Sequence, residues 1–280
     1  MMENQGNNPL YIFDASIPSY LREFEELWQY RELVLQLTWR NMTVAYKQSL
    51  FGAVWLVVGP LWSMVVYSVI FGHFVGIEAG GNIPYPIFSY SGLLIWNYFA
   101  AVMSGAASTI VKNRGLITKI YFPRLVLPAT IILEALFNFS LSLIILFGLM
   151  IFYGIVPGWR VVIMPAFLLL ATAVGLAIGL WAAIFYVRYR DVGRVVGFLQ
   201  QFLQYATPII YPIAVIPARW QALYSVNPLT ISIQGARWAL LGQEGIPLPL
   251  VLIGSLLAVL AMISGIVVFV RAQSTFADTV

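Results

Sequence analysis

The stretch KNRGLITKIYFPRLVLPATIILEALFNFSLSLIILFGLMIFYGIVPGWR, residues 112–160, decides the fold. It opens on four cations: Lys112, Arg114, Lys119 and Arg124. From Leu125 to Tyr153 it is apolar, with Glu134 its single charged side chain, and it closes on a turn holding Pro157, Gly158 and Arg160. A helix rises ~1.5 Å per residue and the hydrocarbon core is ~30 Å thick, so ~20 apolar residues cross a bilayer. This run is long enough. Its cation-rich end belongs in the cytosol, because basic residues gather on loops that are not translocated.

The same alternation extends in both directions. Apolar runs occupy about 51–71, 86–111, 125–153, 161–187, 195–211 and 248–270. The fifth is the shortest, and Pro208 interrupts it. Arg22, Arg31, Arg40 and Lys47 precede the first run, Arg188, Arg190 and Arg194 follow the fourth, and Arg271 follows the sixth. Twelve of the fifteen Lys and Arg residues therefore share one side, and the other keeps Arg160, Arg219 and Arg237. The expectation is an all-α integral membrane protein with six transmembrane helices per chain and both termini cytosolic.

Composition excludes several other classes. The chain is 61% hydrophobic and 9% charged, where soluble domains carry about 25% charged residues. The net charge of +4 sits at loop ends, where it sets topology and meets anionic lipid headgroups rather than nucleic acid. The absence of cysteine excludes disulfides and thiol chemistry, and the lone His73 cannot assemble a metal site. The polar, acidic start predicts no cleavable signal peptide.

Three segments lie outside that pattern. Residues 1–20, with Pro9 and Pro18, are expected to form a flexible cytosolic arm. Residues 21–47 read as one amphipathic helix lying in the membrane interface. Leu21, Phe24, Trp28, Leu35, Trp39 and Met42 share a face, and Arg22, Glu25, Glu26, Glu32, Arg40 and Lys47 fall elsewhere. A soluble helix packed on a partner protein is the alternative. Residues 48–280 make up the transmembrane domain. Within it, 212–247 hold Pro212, Pro217, Pro228 and Pro247, yet stay apolar and aromatic. They are expected as short half-helices on the external side before the last span, either re-entrant or capping the surface.

Catalytic chemistry is sparse. Most of the eleven acids lie before residue 33, and HExxH, GxSxG and P-loop patterns are absent. The chain is therefore expected not to be an enzyme and to hold no cofactor of its own. Glu134 lies deep in the third run, either as a functional carboxyl or hydrogen-bonded near Asn138. Gln200, Gln201 and Gln204, with Tyr205, give the fifth run a polar face that seeks other helices or water. Gly175 and Gly179 form a GxxxG that allows close helix contact. Aromatics cluster near the external ends: Tyr85, Phe88, Tyr90, Trp96, Tyr98, Tyr205, Tyr211, Trp220, Tyr224 and Trp238. They are either an interfacial belt or a surface on which sugar rings stack. Tyr85, Tyr90, Trp96, Tyr98, Tyr205 and Tyr211 are the candidates for lining such a path.

Residues 37–72 (LTWRNMTVAYKQSLFGAVWLVVGPLWSMVVYSVIFG) resemble the start of type-two ABC exporter permeases that move polysaccharides, the membrane subunits of O-antigen, capsule and teichoic-acid exporters. The likeness continues through PYPIFSYSGLLIWNYF (84–99), NRGLITKIYFPRLVLP (113–128), VRYRDVGR (187–194) and NPL (227–229). One position departs: Asn41 stands where such chains often have an acid after the arginine. The resemblance implies a homodimeric permease of the bacterial inner membrane. Two copies of a separate cytosolic ATPase would carry ATP and Mg, and the cargo would be a polysaccharide on an undecaprenyl-diphosphate lipid. It further implies that the N-terminal helix and the loops around Arg114, Lys119, Arg188, Arg190, Asp191 and Arg194 couple to that ATPase. Arg114, Lys119 and Arg124 are candidates to meet the lipid diphosphate. An ABC permease for drugs or small lipids, an ion-coupled transporter using Glu134, and a membrane glycosyltransferase remain as rivals, the last disfavoured by the lack of paired acids.

Overall fold

A computed structural model describes residues 20–47, 54–80 and 83–279, and these are almost entirely helical, with no strand among them. The expected arm lies outside the described residues except for Tyr20, as does 48–53, where the first apolar run begins. α1 (Tyr20–Gln29) and α2 (Arg31–Lys47) occupy the segment read as one helix. The backbone ladder carries across Tyr30, whose N–H donates to Glu26 O and whose carbonyl accepts from Val34 N–H.

α3 (Val54–Tyr67) runs on as a π-helix over Ser68–Phe74. α4 (Tyr85–Lys112) returns to the other side, and a single turn, α5 (Arg114–Ile117), sits in the basic loop. α6 (Val126–Phe152) and α7 (Met164–Arg188) follow, the latter after a 3-10 turn at Trp159–Ile163. Then come α8 (Val192–Ala206), α9 (Ala218–Val226), α10 (Pro228–Leu241) and α11 (Leu248–Thr279).

Five helical segments among the described residues are long and apolar enough to cross: Val57–Phe74, Tyr85–Lys112, Val126–Phe152, Trp159–Arg188 and Leu248–Gln273. The fifth of the six expected runs, 195–211, is not among them. Its helix, α8, has 15 residues and stops at Ala206, rising ~22 Å against a ~30 Å core. Pro208 is the reason. A residue before proline is pushed out of the helical region, and Thr207 sits at φ −108°, ψ 141°.

α4 is the centre of the molecule. Most of its residues are buried, and it packs against α7, α6, α10, α3 and α8. Gly175 and Gly179 let α7 approach it: a Cβ at 179 would lie 2.7 Å from Ala106 Cβ and 2.7 Å from the Met103 carbonyl. Residues 212–247 fold as a short 3-10 turn followed by α9 and α10. The NPL motif starts α10 by plain capping chemistry. The Asn227 side chain accepts from Leu229 N–H at 3.0 Å, and Pro228 occupies the first helical position, where no N–H is needed. Gly242, at φ 70°, ends the helix in the left-handed conformation that glycine adopts without strain. Between those caps, α10 is buried against α4, α7 and α11.

Candidate functional site

Three polar constellations stand out in this apolar chain. The first joins α3 to α8. Gln204 Nε2 donates to the Tyr67 hydroxyl at 3.2 Å. Both helices otherwise leave a face uncovered, with Trp55, Val58, Trp62 and Val65 exposed on α3, Val69 on its π-helical extension, and Val195, Phe198, Phe202 and Tyr205 on α8. Gln201 lies on that α8 face and is exposed, and Gln200 is half-buried. Gln201 is nine residues into α8, so ~14 Å along it. An amide at that depth has no partner in lipid tails.

The second constellation surrounds Arg237, which is wholly buried on α10. Its Nη1 donates to Pro208 O at 2.9 Å, and its Nη2 donates to Phe88 O at 3.1 Å and to Ile209 O. The guanidinium also lies 3.6 Å from the Phe88 ring centroid. No carboxylate pairs with it among the described residues. The Tyr85 hydroxyl donates to Ile210 O at 2.6 Å, and the Tyr211 hydroxyl donates to Tyr205 O at 2.9 Å. The logic is that of a broken helix. Pro208 frees carbonyls at membrane depth, where irregular backbone is tolerated only when other groups satisfy it. Arg237 and Tyr85 supply the donors. The sequence reading counted Arg237 with the external loops. It sits beside Gly92, ~10 Å along α4 from its Tyr85 end. The signal was available in a lone arginine within an apolar run, which is a site hypothesis by default.

The third constellation docks α2 on α6. Asn41 Nδ2 donates to Glu134 Oε1 at 2.8 Å, and the Tyr46 hydroxyl donates to Asn138 Oδ1 at 2.7 Å. Arg40 in turn donates to Asn41 Oδ1 at 3.1 Å through Nη2. The amide at 41 thus bridges the cation to Glu134, and the departure from an acid there builds a relay instead of a direct ion pair. Val34, Leu35, Ala129 and Ile132 line one groove beside it. Trp28 and Trp39 stay exposed. Glu134 is therefore engaged by a neighbouring helix, which favours packing over ion coupling. Glu134→Gln keeps an acceptor for Asn41 and is expected to leave transport near normal. Glu134→Leu removes it and is expected to lower transport and melting temperature together. Transport abolished by Glu134→Gln at normal expression would restore the ion-coupled rival. The measurement is transported product per inserted molecule.

In the 112–124 and 188–194 loops, Arg114, Lys119, Arg188, Arg190, Asp191 and Arg194 are all exposed. Arg194 pairs with Asp191 at 3.2 Å in the open, where such a pair adds little stability. Arg124 differs from these. It is half-buried over the Phe122 ring, and its Nη1 is buried without a hydrogen-bond partner. Burial lowers its guanidinium below the ordinary arginine range. α1 is tied to α11 by Gln273 Nε2 donating to Glu23 Oε1 at 2.6 Å.

The candidate aromatics divide. Tyr90, Trp96 and Tyr98 are 1%, 2% and 3% exposed, covered by their own chain. The Tyr90 hydroxyl donates to Ser142 O, and the Tyr98 hydroxyl pairs with Thr172 Oγ1 at 2.6 Å. Tyr98 is thirteen residues into α4, ~20 Å from its Tyr85 end and near the middle of the helix. Tyr85 is buried around Ile210, Tyr211 is half-buried, and Tyr205 keeps an open ring face. The Gln200–Gln204 face and Tyr205 are thus together on α8, while the α4 aromatics belong to the core.

Sequence comparison places this architecture. The description of the ABC-2 type transporter family matches residues 32–241, from the start of α2 to the end of α10. The O-antigen export system permease protein RfbA of Myxococcus xanthus is 33% identical over 230 residues, covering 81% of this chain and 86% of that protein. An RfbA of Klebsiella pneumoniae is 25% identical over 219 residues, covering 77% and 82%. The inner membrane transport permease YadH of Escherichia coli K12 is 25% identical over 213 residues, covering 71% and 81%. The match runs through the docked α2, the α4–α7 core and the Arg237-bearing helix, and the chain accordingly belongs to the ABC-2 type transporter family.

Proposed function

We propose that the chain is the membrane permease subunit of an ATP-driven exporter that moves a lipid-linked polysaccharide out of the cytosol, with two copies enclosing the path. The observation that carries this reading is the uncovered α3–α8 surface. Gln201 and Tyr205 stand on it among exposed aromatics, so it needs water or a second protein surface rather than lipid. A homodimer is the simplest way to supply both, since two-fold pairing sets the same face on each side. The O-antigen export relatives support glycan as the cargo. A Tyr or Phe ring offers a face for sugar C–H groups, and an amide offers partners for hydroxyls.

An ABC permease works with an ATPase, and the exposed cations of the 112–124 and 188–194 loops suit an acidic groove on that partner. Arg124 is the cation best placed for a lipid diphosphate, because one of its buried N–H groups lacks a partner. In this reading α8 is the fifth of six crossings, completed by the irregular 207–211 backbone. α1 and α2 lie at the cytosolic interface, where Trp28 and Trp39 meet headgroups.

Both parts are testable in one strain set. Deleting the gene is expected to remove the surface polysaccharide, and Gln201→Leu to cut surface polysaccharide per inserted permease several-fold without loss of protein. Cysteines at Glu78 and Val156, both exposed, should react with an impermeant thiol reagent in intact cells. Cysteines at Gly115 and Arg190, also exposed, should react only after permeabilisation. Surface polysaccharide that persists in the deletion strain would exclude the export role, and reversed labelling would exclude the topology.

A further inference from the structure

A cavity of about 860 Å³ lies between α9, α10, the start of α11 and the loops at 79–83, 212–214 and 242–247. Its roof is one face of α9. Ala218, Gln221, Ala222 and Ser225 recur at helical spacing and all line it. The inward face of a short helix is normally apolar and packed. Here it is small and polar and meets open space.

The cavity's polar groups are oriented. Gln221 Nε2 donates to Ile216 O at 2.8 Å, and Gln243 Nε2 donates to Ala79 O at 2.8 Å. Gln234 Nε2 donates to Glu244 O at 3.3 Å. Each amide is held by one backbone carbonyl, leaving its oxygen and a second N–H for another partner. The Gln234 oxygen is buried and has no hydrogen-bond partner. Among the described lining residues there is no Lys or Arg, and Glu244 is the one charged residue.

We infer that this cavity binds a short segment of neutral glycan on the external side of the membrane. Fixed neutral amides match hydroxyls, which donate and accept at once. A phosphate or carboxylate would find no cation and would face Glu244. An acyl chain would leave the amide oxygens and second N–H groups without partners, which is costly when they are covered. The size falls within the ~300–1,000 Å³ of ligand sites. The assignment of that glycan as the exported chain, held after it leaves the membrane, rests on the export reading above.

The test uses the full-length permease with its ATPase in lipid nanodiscs. The probe is oligosaccharides cut from the producing strain's own surface polysaccharide, with heparin-derived oligosaccharides as the anionic comparator. Saturation-transfer NMR is expected to show transfer to the first and none to the second. The double variant Gln221→Ala/Gln234→Ala should weaken the signal several-fold. Ala222→Trp, which fills the cavity, should abolish it while the melting temperature holds. Absence of transfer, equal transfer to the anionic probe, or a signal indifferent to both variants overturns the inference. The comparison of the two probes on the parent protein needs no variant to fold. If the deletion strain loses its surface polysaccharide and yet the permease binds neither probe, the inference fails and the export reading stands. If the deletion strain keeps its polysaccharide, the export reading fails on its own.

Discussion

Arg237→Met is expected to lower the melting temperature of the detergent-solubilised protein by on the order of 10 °C and to reduce the amount inserted in the membrane. Methionine is shorter than arginine but close to it in volume, so the loss is not chiefly one of packing. It is a loss of donors. Pro208 O and Ile209 O lie on irregular backbone after α8 and take their hydrogen bonds from the guanidinium. Each buried carbonyl left without a donor costs about 1–3 kcal/mol. One kcal/mol shifts the melting point by ~2–4 °C in a chain of about this size. The cation also lies just past the C-terminus of α8, where the helix dipole favours positive charge. Arg237→Lys keeps that charge but offers a compact point donor in place of a planar fork, and is expected to fall between parent and Met. A Met variant that melts within about 2 °C of the parent would show that other groups hold the broken segment.

The same pin constrains α4. A Cβ at Gly92 would press on Arg237 Nη2 and lie 2.7 Å from Ile209 O. Gly92→Ala and Arg237→Met therefore disturb one contact, and their combined cost should be smaller than the sum of the two, as expected for residues in a shared network.

Hydropathy and charge made most of this architecture legible. The runs at 86–111 and 125–153 coincide with α4 and α6 to within a residue, because an uninterrupted apolar helix has few alternatives at membrane depth. The fifth run marks the limit of that argument. Its composition suits a span as far as Tyr211, but Pro208 decides the backbone, and apolar counting is blind to that. The aromatics of α4 show a different limit. Tyr90 and Tyr98 look like external-end residues on a list, yet their faces are turned into the bundle and their hydroxyls find Ser142 and Thr172. Rotation about a helix axis depends on which neighbours pack there, and one sequence with no apolar–polar contrast carries little of that information. Glu134 was visible as an oddity. Its partner Asn41 lies 93 positions away, so only the fold could supply it.

Helix packing gives the second large effect, with a built-in control. Gly179→Ala is expected to destabilise the protein by about 1–3 kcal/mol, the usual cost of overpacking, and Gly179→Leu to prevent stable folding. The new Cβ would lie 2.7 Å from the Met103 carbonyl. A backbone atom cannot swing aside, so α7 and α4 must separate along the most buried contact of the bundle. Gly175→Ala is expected to be milder, because the nearest atom, Val102 Cγ1 at 3.0 Å, belongs to a side chain that can adjust. Gly148, also in a transmembrane helix, has nothing within 4 Å of its would-be Cβ. There alanine restricts the unfolded chain without a clash, and Gly148→Ala is expected to be neutral or stabilising by up to ~1 kcal/mol. Thermal unfolding of the three alanine variants in one detergent ranks them directly. Equal melting points for Gly148→Ala and Gly179→Ala would mean that α4 and α7 do not meet through these glycines. The Arg237-bearing α10, which packs on both helices, would then be seated on a different core.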